Sequence, residues 1–252
     1  MCSRRRSQLG HSVWRKFGVP AVFLAFGVLA AVPALSRAEE SCDSFLSCCD
    51  QGQSCRQFYL SGIVGADFAT LDKLSTGTTI PNQSIFTAGG AAGMRFLREN
   101  GAMRLEFEGR GRDQVSETFP GGLTDLTYRA TDGWSAMVNV WRDYKPFESL
   151  GLYAGGGIGA GGYRWTLSSD QPALGIAGND RVANFAWQAG GGVFYEFSKR
   201  ATVDLGYRFF SIDESLVGYE FFGQPQTSPT NFAASELLLQ VRIYEPFRGW
   251  RR

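Results

Sequence analysis

Between residues 102 and 113 the chain alternates with a period of two, and the two faces this makes are chemically opposite. Met103, Leu105 and Phe107 fall on one face, with Arg104, Glu106, Glu108, Arg110 and Arg112 on the other. That period belongs to an extended strand whose two sides meet different surroundings; a helix at 3.6 residues per turn would scatter the same charges around its axis. The pattern returns in 201–213, where Val203, Leu205, Tyr207 and Phe209 oppose Asp204 and Arg208. In 231–245, Leu237, Leu239, Val241 and Ile243 oppose Glu236, Gln240, Arg242 and Tyr244, and in 183–197, Phe185, Trp187, Val193, Tyr195 and Phe197 oppose Asn184, Gln188 and Glu196.

Eight such runs are legible, at 57–69, 85–97, 102–113, 127–140, 150–165, 183–197, 201–213 and 231–245. Their connections alternate in length. Those at 70–84, 114–126, 166–182 and 214–230 are long and rich in Gly, Thr, Ser, Pro, Asn and Asp. Those at Arg98-Glu99-Asn100-Gly101, around Asp143-Tyr144-Lys145-Pro146 and at Ser198-Lys199-Arg200 are tight. Long connections at one end and short at the other predict an all-β fold, an eight-stranded antiparallel up-and-down transmembrane β-barrel.

Alternation alone also fits a soluble periplasmic ligand-binding barrel, which is apolar inside and wet outside. The polar face decides between them. Only Lys73, Lys145 and Lys199 are lysines after residue 38, and all three fall in connections. The strands use arginine instead: Arg95, Arg104, Arg110, Arg112, Arg129, Arg208 and Arg242, set against Asp67, Glu106, Glu108, Glu196, Asp204 and Glu236. Arginine pairs carboxylates bidentately where water is excluded. An eight-stranded barrel is just wide enough to be filled by side chains. These thirteen residues are therefore expected to form a charge network inside a plugged lumen.

The N-terminus reads as an export signal. Arg4, Arg5, Arg6, Arg15 and Lys16 precede an apolar stretch from Val19 to Leu35, and Ser36-Arg37-Ala38 supplies a small-x-small site, so cleavage is expected after Ala38. Removal of residues 1–38 would turn a net charge of +1 into −5 and would delete the only histidine, His11, together with Cys2. A chain without histidine carries no Ser-His-Asp triad, no His-ligated metal and no histidine general base. No catalytic residue, metal site or cofactor is expected, and the near-balanced charge argues against a nucleic-acid partner.

Residues 39–56 form a short polar segment with Cys42, Cys48, Cys49 and Cys55, and no cysteine follows. In an exported chain four cysteines point to two disulfides, with three pairings open and a bond between the adjacent Cys48 and Cys49 disfavoured by strain. The barrel is expected over 57–247, followed by a short basic tail at 248–252. The glycines of Gly155-Gly156-Gly157, Gly159, Gly161 and Gly162, and of Gly190-Gly191-Gly192, are costly in strands and suit places where a narrow barrel must leave room for side chains. A nucleotide-binding reading of the first group fails, because no helix pattern follows.

Three glycine-aromatic segments, Leu152-Tyr153-Ala154-Gly155-Gly156-Gly157-Ile158-Gly159, Trp187-Gln188-Ala189-Gly190-Gly191-Gly192-Val193 and Val203-Asp204-Leu205-Gly206-Tyr207-Arg208-Phe209, resemble the small outer-membrane barrel family that includes the OmpA transmembrane domain and the opacity-type surface proteins. The resemblance covers about residues 57–247. It implies the outer membrane of a Gram-negative-type cell, lipid and the barrel-assembly machinery as partners, and an assembly signal among Ile243, Tyr244 and Phe247, although Arg248-Gly249-Trp250-Arg251-Arg252 departs from the family's ending. The expected function is non-enzymatic: envelope integrity and loops presented for adhesion or recognition of an extracellular ligand. A narrow porin-like channel is the alternative. The aromatic residues of the fourth long connection, Tyr219, Phe221 and Phe222 with Pro225 and Pro229, read as part of a membrane-interface girdle.

Overall fold

The computed structural model describes residues 56–72, 80–98, 100–120 and 124–247. The export segment, the four cysteines and the basic tail lie outside the described residues. Within them run nine strands: β1 (Arg56–Asp72), β2 (Ile80–Arg98), β3 (Gly101–Arg112), β4 (Val115–Phe119), β5 (Leu126–Tyr144), β6 (Leu150–Ser169), β7 (Ala177–Ser198), β8 (Ala201–Phe221) and β9 (Gln224–Tyr244). A 3-10 turn at Pro172–Leu174 joins β6 to β7. Chain neighbours pair antiparallel, and β1 pairs with β9 to close the ring. β3 and β4 both pair with β5, so together they make one stave, broken at Asp113 and Gln114. The result is the expected eight-stave, up-and-down antiparallel barrel.

The staves are longer than the sequence pattern suggested. β6, β7, β8 and β9 contain 20, 22, 21 and 21 residues. A tilted strand needs only about 9–11 residues to cross the hydrocarbon core. About half of each stave therefore extends beyond it, and the outward faces show which half. On β1 Phe58, Leu60, Val64 and Phe68 are exposed; on β9 Leu237, Leu239, Val241 and Ile243; on β8 Leu205 and Tyr207; on β7 Phe185, Trp187, Val193, Tyr195 and Phe197. All lie on the half that ends in the tight turns. On the other half the outward positions become mostly polar, with Arg129 and Asp132 on β5, Asn179 and Arg181 on β7, and Asp213 and Glu214 on β8, although Leu216 is also exposed there.

The interior inverts in the opposite sense. In the tight-turn half the inward side chains are mostly charged or polar, with small apolar clusters at Ile63, Ala91 and Leu238 and at Trp141, Tyr153 and Phe194, and in the other half they are mostly apolar. There Ile85, Val115, Tyr163, Trp165, Leu167, Ile176, Val182, Phe210, Ile212, Val217 and Phe232 pack into one buried cluster. Each stave thus carries a membrane-type half, apolar outside and charged inside, joined to a half patterned like a soluble barrel. We call the second half the cap.

Bulges mark the boundary. The β5–β6 register shifts between Thr131 and Trp134, with Asp132 at φ 55°, and the β8–β9 register shifts between Ile212 and Ser215. One extra residue exchanges the faces of a strand. On β5 the buried positions accordingly pass from Ala130 to Ser135, Met137, Asn139, Trp141 and Asp143. Side chains take over where the cap's backbone ladder lapses. Gln83 of β2 donates to Ser116 O of β4 at 2.8 Å, and Asn184 of β7 donates to Glu214 O of β8 at 2.8 Å.

Two expectations are corrected. The connection 214–230 is no loop: β8 and β9 run through it as a hairpin and turn at Phe222 and Gly223, whose positive φ values of 51° and 70° match a tight turn compatible with strand twist. Its aromatic residues are consequently not girdle. Phe221 lies twelve residues beyond Phe209 on β8, past the acidic Asp213 and Glu214, at the far tip of the cap.

Candidate functional site

Alternation brings the charged residues of seven staves into one lumen, because each strand turns every second side chain inward. Of the thirteen residues anticipated there, Asp67, Arg95, Arg104, Glu106, Glu108, Arg110, Arg112, Asp204, Arg208, Glu236 and Arg242 are buried, and Glu196 is half-buried at the tight-turn mouth. Arg129 is the exception. It precedes the β5 bulge, where odd positions face outward, and it is exposed on the cap opposite Ser116 and Thr166.

The contacts fall into levels along the barrel. Next to the apolar cap, Glu236 accepts from Arg110 Nη1 and Arg112 Nη2, each at 2.7 Å, while Arg112 Nε donates to Asp67 at 2.9 Å and Arg112 Nη1 to Ser135 Oγ at 3.0 Å. Arg112 also lies over the Phe210 ring, 4.0 Å from its centroid, which joins the network to the cap core. One level down, Glu108 meets Arg110 Nε and Arg208 Nη1, both at 2.6 Å. Glu106 is held differently, by the neutral donors Tyr59 at 2.9 Å, Gln240 at 3.1 Å, Trp141 at 3.2 Å and Asn139 at 3.3 Å.

Nearest the tight turns, Asp143 receives Arg104 Nε at 2.9 Å and Arg242 Nη1 at 3.4 Å, and Asp204 receives Arg242 Nη2 at 2.5 Å. Arg95 donates to Glu196 at 2.7 Å, and Lys145 reaches the other oxygen of that carboxylate. The glycines make this crowding feasible. A Cβ on Gly93 would sit 2.6 Å from the Tyr59 phenol, and one on Gly157 would sit 2.0 Å from Asn139 Oδ1.

Several members were not anticipated from sequence. The sequence pattern puts Asp143 in a tight connection, yet β5 continues to Tyr144 and turns Asp143 inward. The signal was present in the alternation Met137, Asn139, Trp141, Asp143, but the bulge breaks its phase with the first part of that run. Tyr59 and Asn139 carry no charge and give little sign of their role as donors, and Gln240, legible on the polar face of its strand, does not reveal its partner there. Of the assembly-signal candidates, Ile243 and Phe247 are exposed while Tyr244 is buried in the lumen.

These side chains fill the lumen at the height of the ion pairs. Among the described residues no group of three or more His, Cys, Asp or Glu side chains could hold a metal ion, and Glu236 is shared between Arg110 and Arg112. A cleft lies at the boundary with the cap. It spans about 310 Å³ including its open mouth and is lined by Ile85, Val115, Trp134, Tyr163, Ile212 and Phe232 among others.

Comparison with known protein families agrees with the architecture. The family profile described as outer membrane protein beta-barrel domain matches residues 21–235. Among solved structures, Neisserial surface protein A is similar, at 15% identity with 74% of this chain and 96% of that chain covered and a TM-score of 0.39. So is Ail, the attachment invasion locus protein of Yersinia pestis, at 15% identity, covering 74% and 99%, with a TM-score of 0.38. The outer membrane protease OmpT of Escherichia coli is similar at 9% identity, covering 75% and 96%, with a TM-score of 0.47. No curated protein sequence matches the chain.

Proposed function

The chain belongs to the outer membrane protein beta-barrel domain family, and from that premise we propose that it is a closed, non-enzymatic outer-membrane barrel that stabilises the envelope and presents its cap for adhesion or recognition. The observation that carries the reading is the double filling of the lumen, by ion pairs in the membrane half and by the apolar cluster in the cap. A water path would have to pass both. Such a barrel offers a scaffold and an outer surface.

The cap supplies that surface. A cored, hydrogen-bonded extension holds its outer positions more rigidly than loops of the same length would. Its outward charge is biased: among the described residues Asp113, Asp125, Asp132, Asp170, Asp213, Glu214 and Glu220 are exposed, against Arg129, Arg164 and Arg181. A partner that docks there is expected to be basic. Export through residues 1–38 and a periplasmic, disulfide-bonded 39–56 segment complete the proposal, since β1 begins and β9 ends at the tight-turn end.

Reconstitution in planar bilayers tests the central claim. The folded protein, identified by a gel mobility that shifts on boiling, should give no stable conductance level. A reproducible ohmic step in that preparation refutes the closed lumen and makes the chain a narrow channel. The outward role is read separately. Cells displaying the protein should bind a polylysine-coated surface, and Asp213→Asn, Glu214→Gln and Glu220→Gln together should weaken that binding.

A further inference from the structure

We propose that the tight-turn end of the lumen is a binding site for one small inorganic anion of the halide class. The argument starts from which polar groups there lack a protein partner. Arg104 Nη1 and Nη2, Arg242 Nε, Arg95 Nε, the Thr202 hydroxyl and the Tyr244 hydroxyl are buried and meet no hydrogen-bond acceptor, whereas Asp204 Oδ2 is the one acceptor left over at this level. Unmet donors outnumber unmet acceptors. Leaving a buried guanidinium N–H unpaired is costly, more so than for a neutral group.

The donors belong to one neighbourhood. Thr202 and Arg242 are directly opposed on β8 and β9, and Arg95 and Arg104 on β2 and β3. Arg104 and Arg242 share Asp143. Arg95 and Arg242 both face the Tyr244 ring, with their guanidinium carbons 5.1 and 5.8 Å from its centroid.

Existing carboxylates do not meet the demand. Asp143 and Asp204 each have contacts with Arg242, and Glu196 is occupied by Arg95 and Lys145 at the mouth. Glu106 comes no closer than 3.9 Å to Arg104 Nη1 and gives its oxygens to Tyr59, Gln240, Trp141 and Asn139. A single monatomic anion suits such a place better than a phosphate, because Arg104, Arg242, Thr202 and Tyr244 are at most 2% exposed. It would accept from several donors at once.

The test uses the full chain folded in detergent. Its unfolding midpoint, read by the boiling-type mobility shift over a temperature series, should rise saturably with chloride or bromide against gluconate at fixed ionic strength, as for any ligand that binds only the folded state. The double variant Thr202→Val, Tyr244→Phe keeps every ion pair and removes two neutral donors, so it should fold and need about tenfold more halide for the same shift. A bromide-soaked crystal should show one anomalous peak beside Arg104 and Arg242. Water alone at that position, no halide dependence in the native protein, or an unchanged dependence in the double variant each overturns the proposal.

Discussion

Glu236→Gln tests the network at the position where it carries most. Glu236 is fully buried and is the shared acceptor of Arg110 and Arg112. The substitution preserves shape and one carbonyl acceptor, and it removes a charge from between two guanidiniums. Arg112 keeps Asp67, and Arg110 keeps Glu108 and Gln188. Neither cation is abandoned, so the cost should lie at the lower end of the range for a broken buried pair, about 3 kcal/mol. In a chain of this size that corresponds to a lowering of the unfolding midpoint by roughly 6–12 °C. The exposed Arg129→Gln should stay within about 0.5 kcal/mol. Pairing the change with Arg110→Gln supplies a double-mutant cycle, and the coupling should be at least about 1 kcal/mol in favour of the native pair. Reversible urea unfolding in lipid vesicles, followed by tryptophan fluorescence, measures all five proteins: native, the two single lumen variants, their double variant and Arg129→Gln. If Glu236→Gln costs no more than Arg129→Gln, the lumen is hydrated enough to screen these charges and the argument for a closed lumen fails.

Three further outcomes are expected. Phe107→Arg, on the outward face of the membrane half, should destabilise by about 2–4 kcal/mol, whereas Leu216→Arg on the cap should be close to neutral, and vesicle unfolding separates them. Phe232→Ala should open a cavity in the cap core worth about 3–5 kcal/mol and expose cap strands to protease while the boiling-dependent mobility shift persists, which would show that the two halves yield separately. Asp170 has its carboxyl held below the ordinary aspartate range, chiefly by the Thr124 hydroxyl and also by the Asp125 N–H. That contact contributes fully above the ordinary aspartate range and is lost as pH falls through the lowered value. Thr124→Val should therefore remove most of the acid-induced rise in proteolysis at 120–126 and 170–176.

What the sequence disclosed depended on whether a strand stayed in phase. In β3, where no bulge intervenes, Arg104 to Arg112 announce both the strand and its inward face. In β5 the extra residue near Asp132 shifts the phase, so Arg129 was placed inside and Asp143 in a turn, although each follows the alternation of its own half. The long connections misled for a related reason. Gln224 to Thr230 is rich in Pro, Ser, Thr and Gln, yet it pairs residue by residue with β8, because a strand beyond the membrane has a solvated outer face that tolerates such residues. That Asn139 and Gln240 donate to Glu106 becomes visible only when the ring places them beside it.

The axial inversion explains why neither of two simple patterns describes the whole chain. A residue facing lipid must be apolar, and one facing water is best polar, so a stave that leaves the bilayer has to exchange its outward chemistry. If the strand stays in phase, the inward chemistry is free to change independently, and here it changes at the same height, from Asp67 to Ala69 on β1 and from Glu236 to Ala234 and Phe232 on β9. The reason lies in what each half lacks. Inside the membrane half no hydrophobic gain distinguishes the lumen from the surrounding lipid, and hydrogen-bonded ion pairs give the lumen a directional packing that an apolar filling would lack. Outside the membrane water surrounds the cap, burial of apolar surface again drives packing, and a core of Tyr163, Trp165, Phe210 and Phe232 becomes the stabilising solution. Arg112 marks the junction, with its guanidinium bonded to Asp67 and Glu236 on one side and laid against Phe210 on the other.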